Sequence, residues 1–137
     1  MIRTLVILMS LFAFMTALPS YAGETKASKA ESSSCCASDN CSKCLTMCEK
    51  MLKYCKKKGG KHASAEHLNI MKDCITLCRA CVNLDATKSE FAKKVHELCA
   101  EACKKCAESC KSLNDDKLSE CVDMCNTCSK SCSESSK

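Results

Sequence analysis

The sequence predicts an all-α protein, an antiparallel four-helix bundle with a cysteine-lined core. Three observations carry that reading. Of 137 residues 17 are cysteine, fifteen of these recur at steps of three, four or seven, and short capped connections separate the four stretches in which they recur. Cysteine at this density signals a disulfide scaffold or a metal site. Large apolar side chains are scarce in return: there is no tryptophan, and after residue 22 the aromatics are Tyr54 and Phe91. Cysteine packs as a small buried hydrophobe, so cysteines themselves must fill much of the interior. A chain of this length supports one small domain.

Residues 1–22 follow the three-part pattern of a secretory signal, with Arg3 as the positive region, an apolar run from Leu5 to Leu18, and the small-residue site Ser20-Tyr21-Ala22. Cleavage is expected before Gly23, leaving an exported protein, periplasmic or secreted, with no membrane segment. The apolar run is short for a membrane span and nothing comparable follows it. Loss of Arg3 lowers the net charge from +5 to +4. The charges are interspersed except at Lys56-Lys57-Lys58 and Lys61, a solvated loop without interleaved aromatics, so no nucleic-acid partner is expected.

Residues 23–38 are small, polar and aperiodic and read as a flexible leader that contains the adjacent pair Cys35 and Cys36. The bundle is expected over 39–133, with helices at about 39–58, 65–84, 88–113 and 115–133, and a disordered tail at 134–137. Gly59-Gly60 can stop the first helix and Ser64 can cap the second. Thr87-Lys88-Ser89-Glu90 is a capping-box pattern for the third, and Asn114-Asp115-Asp116 supplies a cap and acidic first turn for the fourth. Connections this short make successive helices antiparallel.

Within those helices the cysteines mark one stripe each. The first carries Cys41, Cys44, Cys48 and Cys55, with Met51 in the missing position. The second carries Cys74, Cys78 and Cys81, extended backwards by Met71 and His67. The third has Cys99, Cys103, Cys106 and Cys110, with His96 and Ala92 before them, and the fourth has Cys121, Cys125, Cys128 and Cys132, preceded by Leu118. An ordinary bundle gives such positions to leucine or isoleucine, so each helix should point a row of thiols at the bundle axis. Ile70, Leu77 and Leu84, and Phe91, Val95, Leu98 and Ala102, form flanking apolar stripes that close the helices on one another or join one bundle to another.

In an exported protein, disulfides are the first reading of many cysteines. Within one helix geometry weighs against them, since residues four apart hold their Cβ atoms about 5–6 Å apart and a disulfide needs about 3.5–4.5 Å. A metal shared by two thiolates relaxes the limit: two bonds of about 2.3 Å place the sulfurs about 4.6 Å apart. Disulfides between helices stay open, although an odd total of 17 forbids complete internal pairing. Zinc takes closed four-ligand sites and iron–sulfur clusters use short loop spacings, and neither calls for unbroken rows along four helices. Soft thiolates favour Cu(I), which takes few ligands and shares sulfurs, to a limit of about one ion per thiolate. At that ratio the charges cancel in the low-dielectric core.

Here the residues meet a family. Cys99-Ala-Glu-Ala-Cys-Lys-Lys-Cys-Ala-Glu-Ser-Cys110 and Cys121-Val-Asp-Met-Cys-Asn-Thr-Cys-Ser-Lys-Ser-Cys132 closely resemble the cysteine-rich helices of the bacterial copper storage proteins. The resemblance covers about 39–133. It implies a four-helix bundle packed with Cu(I)-binding cysteines, a homo-oligomer that is usually a tetramer, and, given the signal, the exported branch. A copper-accepting protein is the candidate partner. Many relatives carry histidine in the turn before the last helix, whereas Leu113 to Leu118 contains none. Cys35 and Cys36 lie outside the pattern and are read as disordered, as an intermolecular disulfide, or as metal-capturing, in that order.

In an up-down bundle Met51, Cys55, His67 and Met71 should gather at one mouth, where thioether and imidazole could pass ions inward to the thiols. His62 is read as a solvated loop residue, and His96 as a capped surface residue in preference to a ligand. No phosphate loop, Cys-His-Asn order or His-Glu-x-x-His motif suggests an enzyme. The rival reading is a secreted, disulfide-stapled helical module that binds a protein partner through its outer faces.

Overall fold

The computed structural model describes the backbone of residues 29–137 and the side chains from residue 37 onward. The expected signal (1–22), the first part of the leader (23–28) and the thiols of Cys35 and Cys36 lie outside the described residues. Four helices follow one another: α1 (Lys29–Lys58), α2 (Ala65–Ala86), α3 (Ala92–Ser112) and α4 (Ser119–Ser135), with short 3-10 turns at Gly60–Ala63 and Asp116–Leu118. Each packs on its neighbours in sequence, and α4 returns against α1, closing an up-down-up-down bundle.

The helix ends follow local chemistry. α1 stops where Gly59 and Gly60 adopt φ of 76° and 57°, a left-handed backbone that glycine takes without steric cost. Lys56, Lys57 and Lys58 occupy its last turn, where positive charge suits the carbonyl end of the dipole. Ser64 caps α2, its hydroxyl accepting from the His67 N–H at 3.3 Å. Asp115 accepts from the Lys117 N–H at 3.1 Å and so caps the turn that leads into α4.

Several boundaries differ from the sequence reading: α2 runs two residues further, to Ala86, and α4 starts at Ser119 instead of Asp115, behind the 3-10 turn. α1 begins at Lys29 instead of Asp39, so the second half of the expected flexible leader is helical. No glycine or proline lies between Glu24 and Lys58, and once a helix is nucleated each further residue costs little. Fully buried Ala37 ties this extension to the bundle. α3 begins at Ala92 instead of Lys88, because the expected capping box is used to end α2. Ser89 N–H donates to Leu84 O (2.9 Å) and Lys88 N–H to Asp85 O (3.0 Å), the Schellman pattern, while Thr87 Oγ turns back to Asn83 and Leu84 carbonyls. Lys88 occupies the left-handed position of that motif with φ 50°. α4 runs on to Ser135, two residues into the expected tail.

The core is made of sulfur. Its only branched aliphatic members among the described residues are Ile75 and Leu118, joined by Met51, Met71, a few alanines and the cysteines. Leu45, Leu52, Leu68, Ile70, Leu77 and Val95 pack partly buried around it. The flanking stripes therefore divide: Ile70, Leu77 and Val95 close the bundle, whereas Phe91 and Leu98 stay 64% and 44% exposed.

Candidate metal centre

All fifteen bundle cysteines point inward, and none exposes more than 1% of its surface. The spacing does this: with 3.6 residues per turn, alternating steps of four and three keep one face of each helix on the axis, and Cβ vectors on four such faces converge. No disulfide forms among them.

Within a helix, Cys44 and Cys48 hold their sulfurs 3.9 Å apart, as do Cys99 and Cys103. Between helices, the sulfurs of Cys48 and Cys125 lie at 3.6 Å, Cys74 and Cys103 at 3.6 Å, Cys78 and Cys99 at 3.7 Å, and Cys41 and Cys132 at 3.3 Å. Three four-sulfur sets have all their sulfurs within 4.8 Å of one another: Cys41, Cys99, Cys128, Cys132; Cys44, Cys78, Cys103, Cys128; and Cys44, Cys48, Cys74, Cys125. Cys41 in a further group, and Cys44 and Cys128 here, belong to more than one set, so the sets merge into a continuous column.

These separations decide what the column can hold. With metal–sulfur bonds of about 2.3 Å, sulfurs about 4.0 Å apart subtend about 120° at the metal, and a linear arrangement needs about 4.6 Å. The core is thus spaced for three-coordinate ions, and side-chain rotations of under an ångström open the linear geometry. Burial opposes ionisation of Cys44 and Cys78 alike. Thiol–thiol hydrogen bonds favour one partner's thiolate over the other's: those from Cys103 and Cys125 push Cys44 down, and those with Cys103 and Cys128 push Cys78 up.

At the end of the bundle where α1 finishes and α2 starts, His67 and Cys55 come together as the sequence predicts, with Nε2 3.5 Å from Sγ. His67 Nδ1 lies 2.7 Å from Ser109 Oγ on α3. The tautomer that donates Nδ1–H to this hydroxyl leaves the Nε2 lone pair facing the thiol. Burial, with a smaller contribution from His62, lowers the His67 pKa and keeps the ring neutral, as a ligand must be. Burial likewise pushes the Cys55 thiol up to about 11. His67 also lines an open cleft of about 420 Å³ with Lys61, Ser64, Glu66 and Lys105. It therefore stands between solvent and the first thiol. Met51 and Met71, one turn from Cys55 and His67 respectively, are both in the buried core.

The copper storage protein family model matches residues 28–137. The chain belongs to the copper storage protein family. Among solved structures, the bundle is similar to the Nmul_A1745 protein from Nitrosospira multiformis, with a TM-score of 0.73 and 34% identity over 77% of this chain and 96% of that one. The fold also matches the Cu(I)-bound copper storage protein BsCsp3, with a TM-score of 0.72 and 24% identity over 77% of this chain and 99% of that one. No curated protein matches.

This copper storage protein corrects the sequence reading of two histidines. His62 is not simply solvated: its Nε2 lies 2.9 Å from Asp115 Oδ2, which also takes Tyr54 Oη at 2.8 Å and Lys58 Nζ at 2.6 Å. Lys58 and then Tyr54 hold the Asp115 carboxyl well below the usual range. The node ties the end of α1 to both adjoining turns. His96 is not a surface residue either, being 2% exposed. Its Nε2 lies 2.9 and 3.1 Å from the two carboxylate oxygens of Asp85 on α2. Cys41 and Asp85 raise its pKa, to about 9, against the opposing effect of burial. In both cases the partner lies on another element, and nothing in the local pattern announces it.

Proposed function

We propose that this copper storage protein holds many Cu(I) ions through thiolates inside its bundle. The observation that carries the reading is the column of fifteen buried thiols free of disulfides, eleven of which have a neighbouring sulfur at 3.3 to 4.0 Å. Each ion replaces one thiol proton, so filling adds no net charge to the core, and the limiting load is about one ion per thiolate, on the order of 15. Because loading releases protons, affinity falls as pH falls. Family membership makes the role storage and not catalysis.

His67 and Cys55 are the access route in this reading: an ion in the adjoining cleft meets a neutral imidazole, then a thiol, then the column. Export to the periplasm or beyond is supported by the signal pattern of residues 1–22. Assembly into a homo-oligomer is supported by exposed Phe91 and Leu98, and by a cleft of about 280 Å³ whose apolar wall is Ile70, Leu77, Leu98 and Ala102 and whose rim carries Asp73, Glu101 and Lys105. A protein that receives the copper is the expected partner.

The test is an anaerobic titration of the reduced chain from Gly23 to Lys137 with Cu(I) against a competing chelator, with free thiols counted before and after. Tight uptake of on the order of one ion per core thiol, with the thiols becoming unreactive, is expected. Uptake of one or two ions would refute storage and return the cysteines to a purely structural role.

A further inference from the structure

The thiol column does not end in sulfur at the end opposite His67. Cys41 in the first half of α1, Cys81 near the end of α2 and Cys132 near the end of α4 meet a ring nitrogen of His96, all four ligand atoms lying within 4.8 Å of one another. The two nitrogens of His96 have different fates. Nε2 is committed to both oxygens of Asp85 at 2.9 and 3.1 Å. Nδ1 is the one buried side-chain nitrogen or oxygen without a hydrogen-bond partner among the described residues. A buried nitrogen left without a partner is costly and needs a reason.

We propose that His96 Nδ1 is a metal ligand which, with Cys41, Cys81 and Cys132, forms a mixed nitrogen–sulfur Cu(I) site closing this end of the column. The inference rests on the storage reading and assigns a residue outside the cysteine array. Asp85 is the positioning residue. By accepting Nε2–H it leaves Nδ1 as the nitrogen that gives up its proton to an incoming ion, and it locks the ring against rotation, the arrangement by which carboxylates orient ligating histidines. The donor type also suits the place. A fourth thiolate would add negative charge beside the Asp85 carboxylate, whose side chain is 7% exposed, whereas an imidazole whose Nδ1 proton the ion has displaced adds a ligand and no charge.

The experiment uses the full chain labelled with nitrogen-15 at histidine and filled with silver(I), a spin-active ion of the same charge and softness as Cu(I). A scalar coupling from silver to His96 Nδ1, with Nε2–H still bonded to Asp85, is expected at saturation. His96→Gln is expected to lose one ion of those bound at saturation. Asp85→Asn is expected to weaken or abolish the coupling while the other thiols still fill, and Asp85→Glu to restore it. If all fifteen core thiols become unreactive and the His96 nitrogens show no coupling, the inference is overturned and storage stands. A coupling at Nε2 overturns it as well. A protein that takes up no silver refutes the storage reading itself.

Discussion

Cys103→Ser separates two ways of filling the bundle. Cys103 Sγ lies 4.0 Å from Cys44 on α1, 3.6 Å and 3.7 Å from Cys74 and Cys78 on α2, and 3.9 Å from Cys99 on its own helix. If ions are shared along a continuous column, with two sulfurs per ion and two ions per sulfur, removing one sulfur removes about one ion of about 15. If the sets are instead discrete closed clusters, losing Cys103 dismantles the one it forms with Cys44, Cys78 and Cys128 and releases its whole content. Serine is nearly isosteric, and its hydroxyl can bond the carbonyl of Cys99 one turn back, so the empty bundle should lose about 1 kcal/mol and remain folded. The assay is native mass spectrometry of the Cu(I)-saturated protein beside a thermal melt of the empty one. A loss of one ion supports the column. An unchanged load, or a loss of four or more from a folded variant, refutes it.

His67→Ala should leave saturation capacity within about one ion of wild type but slow uptake about tenfold or more in stopped-flow loading, because the relay between cleft and Cys55 is gone. Equal rates would remove His67 from the access route. Lys88→Gly should raise the melting temperature by several degrees, since relieving the left-handed lysine is worth about 0.5–1 kcal/mol and each kcal/mol shifts a domain of this size by about 4–8 °C. Asn114→Gly, at φ 49°, should gain less because asparagine tolerates that conformation. Asp115→Asn should melt below wild type at neutral pH. The folded carboxyl titrates below its ordinary value of 3.8, so its contribution is present above that value and fades as pH falls through the folded pKa. The two melting temperatures should therefore converge in acid, and a gap unchanged at low pH would contradict the ion-pair account.

The parts legible in the sequence were those written in short-range periodicity. Cys99, Cys103, Cys106 and Cys110 declare their shared face by spacing alone, and Gly59-Gly60 and Ser64 declare the first hairpin by conformational preference. The start of α3 misleads because Thr87, Lys88 and Ser89 suit two incompatible uses, capping the next helix or terminating the previous one. Which wins depends on where α2 runs out of packing. The start of α1 misleads because serine-rich sequence is a weak helix former in isolation, yet it extends a helix already anchored at Ala37 and Cys41. His96 shares the stripe of Cys99, so its inward position was readable. Its partner Asp85 was not, since the pairing crosses the α2–α3 turn and only the packed hairpin brings the two together.

A core of small sulfur side chains also bears on how long each molecule lasts. Ile75 and Leu118 give the empty bundle little branched aliphatic packing, so its helices should open comparatively often and expose backbone to proteases. An ion held between Cys48 on α1 and Cys125 on α4, or between Cys74 on α2 and Cys103 on α3, is a clip joining two helices. Local opening must then break metal–sulfur bonds as well as packing. The cargo should thereby set the lifetime of its container, with full molecules outlasting emptied ones in a protease digest.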